Sequence, residues 1–158
     1  EREVDAIIYG TGFAATDFLA PMKIAGLDGQ LLKQAWAEGA EAYLGLTVSG
    51  FPNMFMLYGP NTNLGHNSII YMLQSQIEYI LDAVQKMKGA NLRFLSLRKN
   101  VQDEFNREIQ ERMKSTVWAQ GCTSWYQTDT GKNTNNWPGS TLEYRKRTRR
   151  LNLVHYAI

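Results

Sequence analysis

From residue 69 to residue 87 the apolar side chains return every three or four positions: Ile69, Leu73, Ile77, Ile80, Leu81, Val84 and Met87. That spacing predicts an α-helix with one apolar stripe, and so long a stripe demands a neighbour to bury it. Asn67 or Ser68 can cap its start, Lys86 and Lys88 suit its last turn, and Gly89 can stop it. A second helix is expected from about Val101 to Lys114. Asn100 would be its cap, with Val101, Phe105, Ile109 and Met113 in register. Asp103, Glu104, Glu108 and Glu111 read as the solvated face of that helix, and a shorter helix is expected around Lys33–Glu38.

Three segments read as strands. Val4–Tyr9 is a short apolar run that stops at Gly10-Thr-Gly12, and Met54–Tyr58 is another, bounded by Pro52-Asn53 and Gly59-Pro60-Asn61. Leu92–Leu97 alternates, which suits a strand but leaves open which face is buried. Strands mixed with helices give an α/β fold class. With 158 residues, 44% of them hydrophobic and 20% charged, the chain has the material for one compact core. After Thr116 the character changes. Trp118, Trp125 and Trp137 sit among Gly, Asn and Thr without helical period, an aromatic tail suited to packing over other parts. The expected division is 1–90 and 91–158, the second part being a strand, a helix and this irregular tail.

A net charge of +2 gives no reason to expect a nucleic-acid or membrane partner, although the basic run Arg145–Arg150 matches a localisation or nucleic-acid patch. No apolar stretch approaches the roughly 18–20 residues that span a bilayer. Cys122 is the lone cysteine, so no internal disulfide forms, which suits a reducing, cytoplasmic setting; it has no histidine beside it and reads as a small buried residue. Glu1-Arg2-Glu3-Val4 runs straight into a strand without a Met, so the chain is expected to be a piece of a longer protein. Gly10-Thr-Gly12-Phe-Ala-Ala15 fits GxGxxA after a strand, and Asp28 lies near the offset of a ribose-binding acid. One alternative is therefore a small NAD(P)-binding Rossmann-type domain. Pro21 and the turn-like Ala25-Gly26 and Asp28-Gly29 weigh against it. Another is a non-enzymatic interaction module that uses the aromatic tail and the basic run.

Several segments, taken in order, share one pattern. They are Asp5–Phe13, Ala42–Leu46 with Gly50–Phe55, Gly59-Pro-Asn61 through Asn67-Ser68, and the Gln74–Ile80 helix. The tail adds Thr116-Val-Trp118, Cys122–Tyr126, Gly131–Asn133 and Trp137-Pro-Gly139. Together they resemble the C-terminal part of class B flavoprotein monooxygenases of the Baeyer–Villiger type, over nearly the whole chain. Gly10 stands where that pattern has Ala. The resemblance implies the C-terminal portion of a Rossmann-like flavoprotein with two dinucleotide-binding domains, incomplete by itself. It implies FAD and NADPH as cofactors, and oxygen insertion into ketones, or oxidation of sulfides or amines, through a C4a-peroxyflavin formed with O₂. The family's glycine motifs for FAD and NADPH have no counterpart here, so the isolated chain is expected to be inactive, with no catalytic residue of its own. It is also expected to self-associate where its apolar surface is uncovered. The residues implied to bind cofactor are Gly12, Asn61, Leu64, His66, Asn67, Ser68 and Ile69: a loop lining the pocket and a helix start facing the isoalloxazine ring. Plainer readings compete. Asn67 or Ser68 can be a simple cap, His66 a surface residue, and the tryptophans core rather than a substrate cage.

Overall fold

A computed structural model of the chain describes residues 1–120 and 124–158. Cys122, and with it the expectation of a buried thiol, lies outside the described residues. The elements run in the order α1 (Leu32–Ala35), α2 (Ile69–Gly89), β1 (Ser96–Leu97), α3 (Lys99–Met113), α4 (Thr141–Thr148) and β2 (Tyr156–Ala157), with single 3₁₀ turns between. β1 and β2 pair antiparallel, Ser96 opposite Ala157 and Leu97 opposite Tyr156. Nearly all regular structure among the described residues is therefore helical.

The long helix stands where its period puts it, capped by Ser68 and not by Asn67. Its buried face is not the expected stripe. Met72, Ser75, Gln76, Tyr79 and Ala83 point inward, while Ile77, Leu81 and Val84 are exposed. α2 is apolar on two opposite faces, and periodicity cannot say which face has a partner. Gln76 looks unfit for a core until its bonds are counted: its Nε2 donates to the Tyr144 hydroxyl at 2.8 Å, and its Oε1 accepts from the Tyr58 N–H at 2.9 Å. α3 begins at Lys99 with Arg98 as an uncapped N-cap, so Asn100 lies inside the helix.

Neither Val4–Tyr9 nor Met54–Tyr58 forms a strand, and Leu92–Leu97 contributes only Ser96–Leu97. A strand needs a hydrogen-bonding neighbour. The run Val4–Tyr9 has none among the described residues, and Ile8 is 94% exposed. Met54–Tyr58 is held instead by single contacts such as Met56 N–H to the Leu46 carbonyl at 3.0 Å. Asn53 does a strand's work for Leu95, its side-chain oxygen accepting the Leu95 N–H at 2.9 Å while its own N–H donates back to Leu95 at 3.0 Å. The turns of Ala15–Pro21 follow Gly10–Ala15 where a Rossmann unit requires a crossover helix, so the small NAD(P)-binding domain is not what this chain builds.

One core joins both halves of the chain: Leu44 and Leu46, the inner face of α2, Phe105, Ile109 and Met113 of α3, and Trp137, Tyr144 and Tyr156 of the tail. A smaller one gathers Leu32, Val48, Phe51 and Met56. The tail tryptophans divide. Trp137 is fully buried, Trp118 is half-buried against the core, and Trp125 is exposed.

The expected irregular tail also contains α4, started by Ser140, whose hydroxyl accepts the Glu143 N–H at 3.1 Å. Two of its basic residues, Arg145 and Arg147, are engaged, Arg145 with Glu78 at 2.8 Å. Arg112 and Arg147 approach the Trp137 ring at 5.5 and 5.6 Å from its centroid. Arg112 grips Glu143 through two bonds of 2.6 and 2.8 Å, and Arg147 grips Glu108. Glu108, expected on a solvated face, thus links α3 to α4.

Two outcomes follow from this packing. The hydrogen bond from Arg147 holds the Glu108 carboxyl below its usual range, and that from Arg112 does the same for Glu143. A depressed carboxylate contributes stability above its unfolded pKa and loses it as pH falls through the folded value. Melting temperature should therefore drop on acidification, and Glu108→Gln should flatten that dependence, as thermal melts across the carboxylate range will read. The uncovered face of α2 should drive association of the isolated chain. Light scattering after size exclusion should show mass rising with concentration. Leu81→Glu with Val84→Glu should suppress this while shifting stability by less than about 1 kcal/mol.

Candidate functional site

The segment Gly59–Ile69 is built from its base upward. The turn Leu44–Gly45 lies directly beneath it, both residues in the left-handed region with φ of 55° and 65°. A Cβ on Gly45 would fall 2.1 Å from Thr62 Cγ2, and one on Gly59 would fall 2.4 Å from the Gly45 carbonyl. Two glycine backbones therefore touch where no side chain fits. The Thr62 hydroxyl donates to the Gly59 carbonyl at 2.7 Å and closes the turn. Behind it, the Tyr144 hydroxyl donates to the Leu44 carbonyl at 2.5 Å. Burial pushes that phenol's pKa up, which keeps it a donor.

The tail then clamps the next residues. Asn61, 2% exposed and at φ 57°, donates its side-chain Nδ2 to the carbonyls of Asn133 at 2.9 Å and Asn136 at 3.1 Å. Its backbone N–H donates to Thr134 at 2.8 Å, the Asn63 N–H donates to Asn135 at 2.9 Å, and the Trp137 N–H donates to Asn63 at 2.9 Å. The clamp is itself braced, since Asn133 Oδ1 accepts the N–H groups of Asn135 and Asn136 at 3.1 and 2.9 Å. Neither Gly45 nor the Asn133–Asn136 turn stands out in the sequence, because nothing in the spacing links residue 45 to 59 or residue 61 to 133. The run Asn133-Thr-Asn-Asn136, polar yet set just before a tryptophan, was the one available signal.

Beyond this base the loop emerges. Leu64 is half-buried against the core, and Gly65, His66, Asn67 and Ser68 are exposed. The His66 ring lies 6.2 Å from that of Trp118. Asn67 Oδ1 accepts the Ser68 N–H at 2.7 Å, and Ser68 Oγ accepts the Tyr71 N–H at 3.4 Å. That leaves the N–H groups of Ile69 and Ile70 without an intrahelical partner at an exposed helix start. Six of the seven residues singled out in the sequence, Asn61, Leu64, His66, Asn67, Ser68 and Ile69, thus form one continuous feature. Gly12 is the exception. It is exposed at φ 79°, and its neighbour is the Trp125 ring, 3.7 Å from where a Cβ would stand. Among the described residues, no three His, Cys, Asp or Glu side chains gather to hold a metal ion, and no helix is long and apolar enough to cross a membrane.

The chain is similar from end to end to parts of known oxygenases. It is 47% identical over 158 residues to a Baeyer-Villiger monooxygenase of Pseudomonas aeruginosa, covering 99% of this chain and 30% of that protein. It is 44% identical to a Baeyer-Villiger monooxygenase of Streptomyces coelicolor, covering 100% of this chain and 31% of the other. An FAD-binding monooxygenase of Aspergillus niger, ktnD, is 42% identical over 151 residues, covering 92% of this chain and 25% of its own length. Among solved structures, OTEMO in complex with FAD and NADP superposes with a TM-score of 0.78 at 32% identity, over 93% of this chain and 27% of that one. The cyclohexanone monooxygenase of Rhodococcus sp. Phi1 bound to NADP+ shares the fold, with a TM-score of 0.75 at 24% identity over 93% of this chain and 28% of the other. No protein-family model matches. The chain spans about a third or less of the length of the relatives it matches.

Gly45→Ala should test the seat of the loop. It forces a Cβ into Thr62 at a left-handed φ, and should cost more than about 2 kcal/mol in denaturant unfolding.

Proposed function

We propose that this chain is the cofactor-facing loop and helix, with the tail that braces them, of an FAD- and NADPH-dependent monooxygenase of the Baeyer–Villiger type. The observation that carries this reading is the end-to-end likeness, at 47% identity, to a protein of that name. The site's own chemistry is compatible. An exposed helix start with N–H groups to spare offers donors and partial positive charge to an electron-rich ring. FAD, once reduced by NADPH, would supply the oxygen chemistry, and ketones, sulfides or amines would be the small organic substrates alongside O₂. In this reading Ser68 caps the helix and Asn67 orients Ser68, which leaves Ile69 and Ile70 N–H as the donors. Leu64 anchors the loop in the core, while His66 and Gly65 line its open side. Gly12 belongs to a second approach to the cofactor, shared with Trp125.

The division at residue 90 has a functional sense here, residues 1–90 carrying the contacts and residues 91–158 bracing them. A cytoplasmic location is part of the same reading, supported by the single cysteine. The isolated chain turns nothing over, because it holds only part of such an enzyme's length. The test uses the full-length protein. Ile70→Pro removes one donor at a first-turn position that tolerates proline, and Ile70 is exposed, so the core is untouched. FAD binding should weaken by about tenfold, as flavin fluorescence on titration will read. Unchanged affinity would remove the helix start from the site, and a full-length protein that retains no flavin would defeat the reading as a whole.

A further inference from the structure

The side-chain amide of Asn61 has two hydrogens, and both are spent inside the protein, on the carbonyls of Asn133 and Asn136. It has no donor left for a cofactor. From this we infer that Asn61 and Asn133 are positioning residues: they clamp the Asn61–Asn63 base of the loop to the tail and so set where Leu64–Ile69 stands. The inference rests on the reading of that loop as facing FAD, and it moves Asn61 from contact to support.

Three observations converge on the clamp. The first is completeness: within three residues the loop's Asn61 N–H, both Asn61 side-chain hydrogens, the Asn63 N–H and the Asn63 carbonyl all find partners between Asn133 and Trp137. The second is burial. Asn61, Thr62, Asn133, Thr134 and Asn136 are all 4% exposed or less, so water cannot substitute for a lost bond without an opening. The third is direction. The Asn133 carbonyl also accepts from Gln110 Nε2 at 2.9 Å, which ties the turn to α3 and makes it the fixed member. Trp137, immediately after the turn, is a fully buried ring approached by Arg112 and Arg147. The loop base is therefore registered against a buried part of the tail. Its outer residues, from Gly65 to Ser68, inherit that position while staying exposed.

Shifting this base would displace Leu64–Ile69, which the proposed reading sets against the cofactor, and would open that side to water. Misplacement of about 1 Å can cost on the order of 100-fold in a reaction that depends on geometry. Water entry would favour the unproductive course in which NADPH, H⁺ and O₂ give NADP⁺ and H₂O₂.

The experiment uses the full-length protein and three variants. Asn61→Gly keeps the left-handed backbone and deletes both donors. Asn133→Ala removes both the acceptor that braces the turn and the Nδ2 donor to Asn136 Oδ1, and Asn133→Asp keeps the acceptor but loses that donor. Two readouts are taken: deuterium uptake at the Asn63 and Trp137 amides, and NADPH-driven H₂O₂ formation per bound FAD without added substrate. Asn61→Gly and Asn133→Ala should raise both by on the order of tenfold, and Asn133→Asp should raise both as well, because its second oxygen would face Asn136 Oδ1 in a buried site. A lower melting temperature with unchanged peroxide formation per FAD would reduce the clamp to a stability element and overturn the inference. Unchanged amide exchange in Asn61→Gly would overturn it as well. If the wild type itself bound no FAD, the proposed function would fail, while the exchange data would still decide whether the turn holds the loop.

Discussion

A buried peptide group needs a hydrogen-bond partner, and here no sheet of useful size supplies one. The two strands are two residues each, so the backbone between the helices must be satisfied piecemeal. Side chains do it. Asn53 mimics a strand partner for Leu95, Gln102 Oε1 accepts the Ser49 N–H at 2.7 Å, and Gln76 takes the Tyr58 N–H. This explains several of the buried polar residues, Asn61, Gln76, Gln102 and Asn133 among them. Among the buried side-chain nitrogen and oxygen atoms of the described residues, only Asn106 Oδ1 lacks a partner. A fold held this way is specific, because each amide fits one geometry, and it is brittle, because a lost bond leaves a desolvated group.

What could be read in advance follows from the same constraint. Helices announce themselves through local period and local caps, so α2 and most of α3 were legible in the sequence, down to Ser68 as a possible cap. The strands were not. Val4–Tyr9 has the composition of a buried strand, but whether it pairs depends on residues it must meet, not on itself. α4 was hidden for another reason: a run of Arg and Lys looks like solvent-facing charge until Glu108, Glu143 and the Trp137 ring are seen beside it. In the candidate site, the stretch from Leu64 to Ile69 was singled out through a resemblance carried by contiguous residues, and the structure shows it as one continuous feature. Its support was not legible, since Gly45, Asn133 and Asn136 act across long sequence separations.

The two-faced α2 makes sense of how much of the chain is uncovered. A helix apolar on opposite sides is designed to lie between two layers. One layer is present: the core of Leu44, Ile109, Trp137 and Tyr156. On the other side Ile70, Ile77, Leu81 and Val84 stand exposed, and so does the whole of Val4–Tyr9. In relatives about three times as long, there is chain enough to supply a second layer. The bare face of α2 and the strand-like run Val4–Tyr9 are both apolar surface that no described residue covers.

That arrangement bears on why the loop is built as it is. Its base, Gly59–Asn63, is fastened entirely by groups within this chain: the Leu44–Gly45 turn below and the Asn133–Asn136 turn behind. Its tip, Gly65–Ser68, is open, and so is the helix start that follows. A tip that must meet a cofactor held by other parts gains nothing from being fastened to itself, but it does gain from starting at a fixed point, because ordering it on binding would otherwise cost affinity. On the proposed reading, the change from half-buried to exposed at Leu64 is where support gives way to contact. Leu64 is held against the core on one side of that boundary, and Gly65 to Ser68 are exposed on the other.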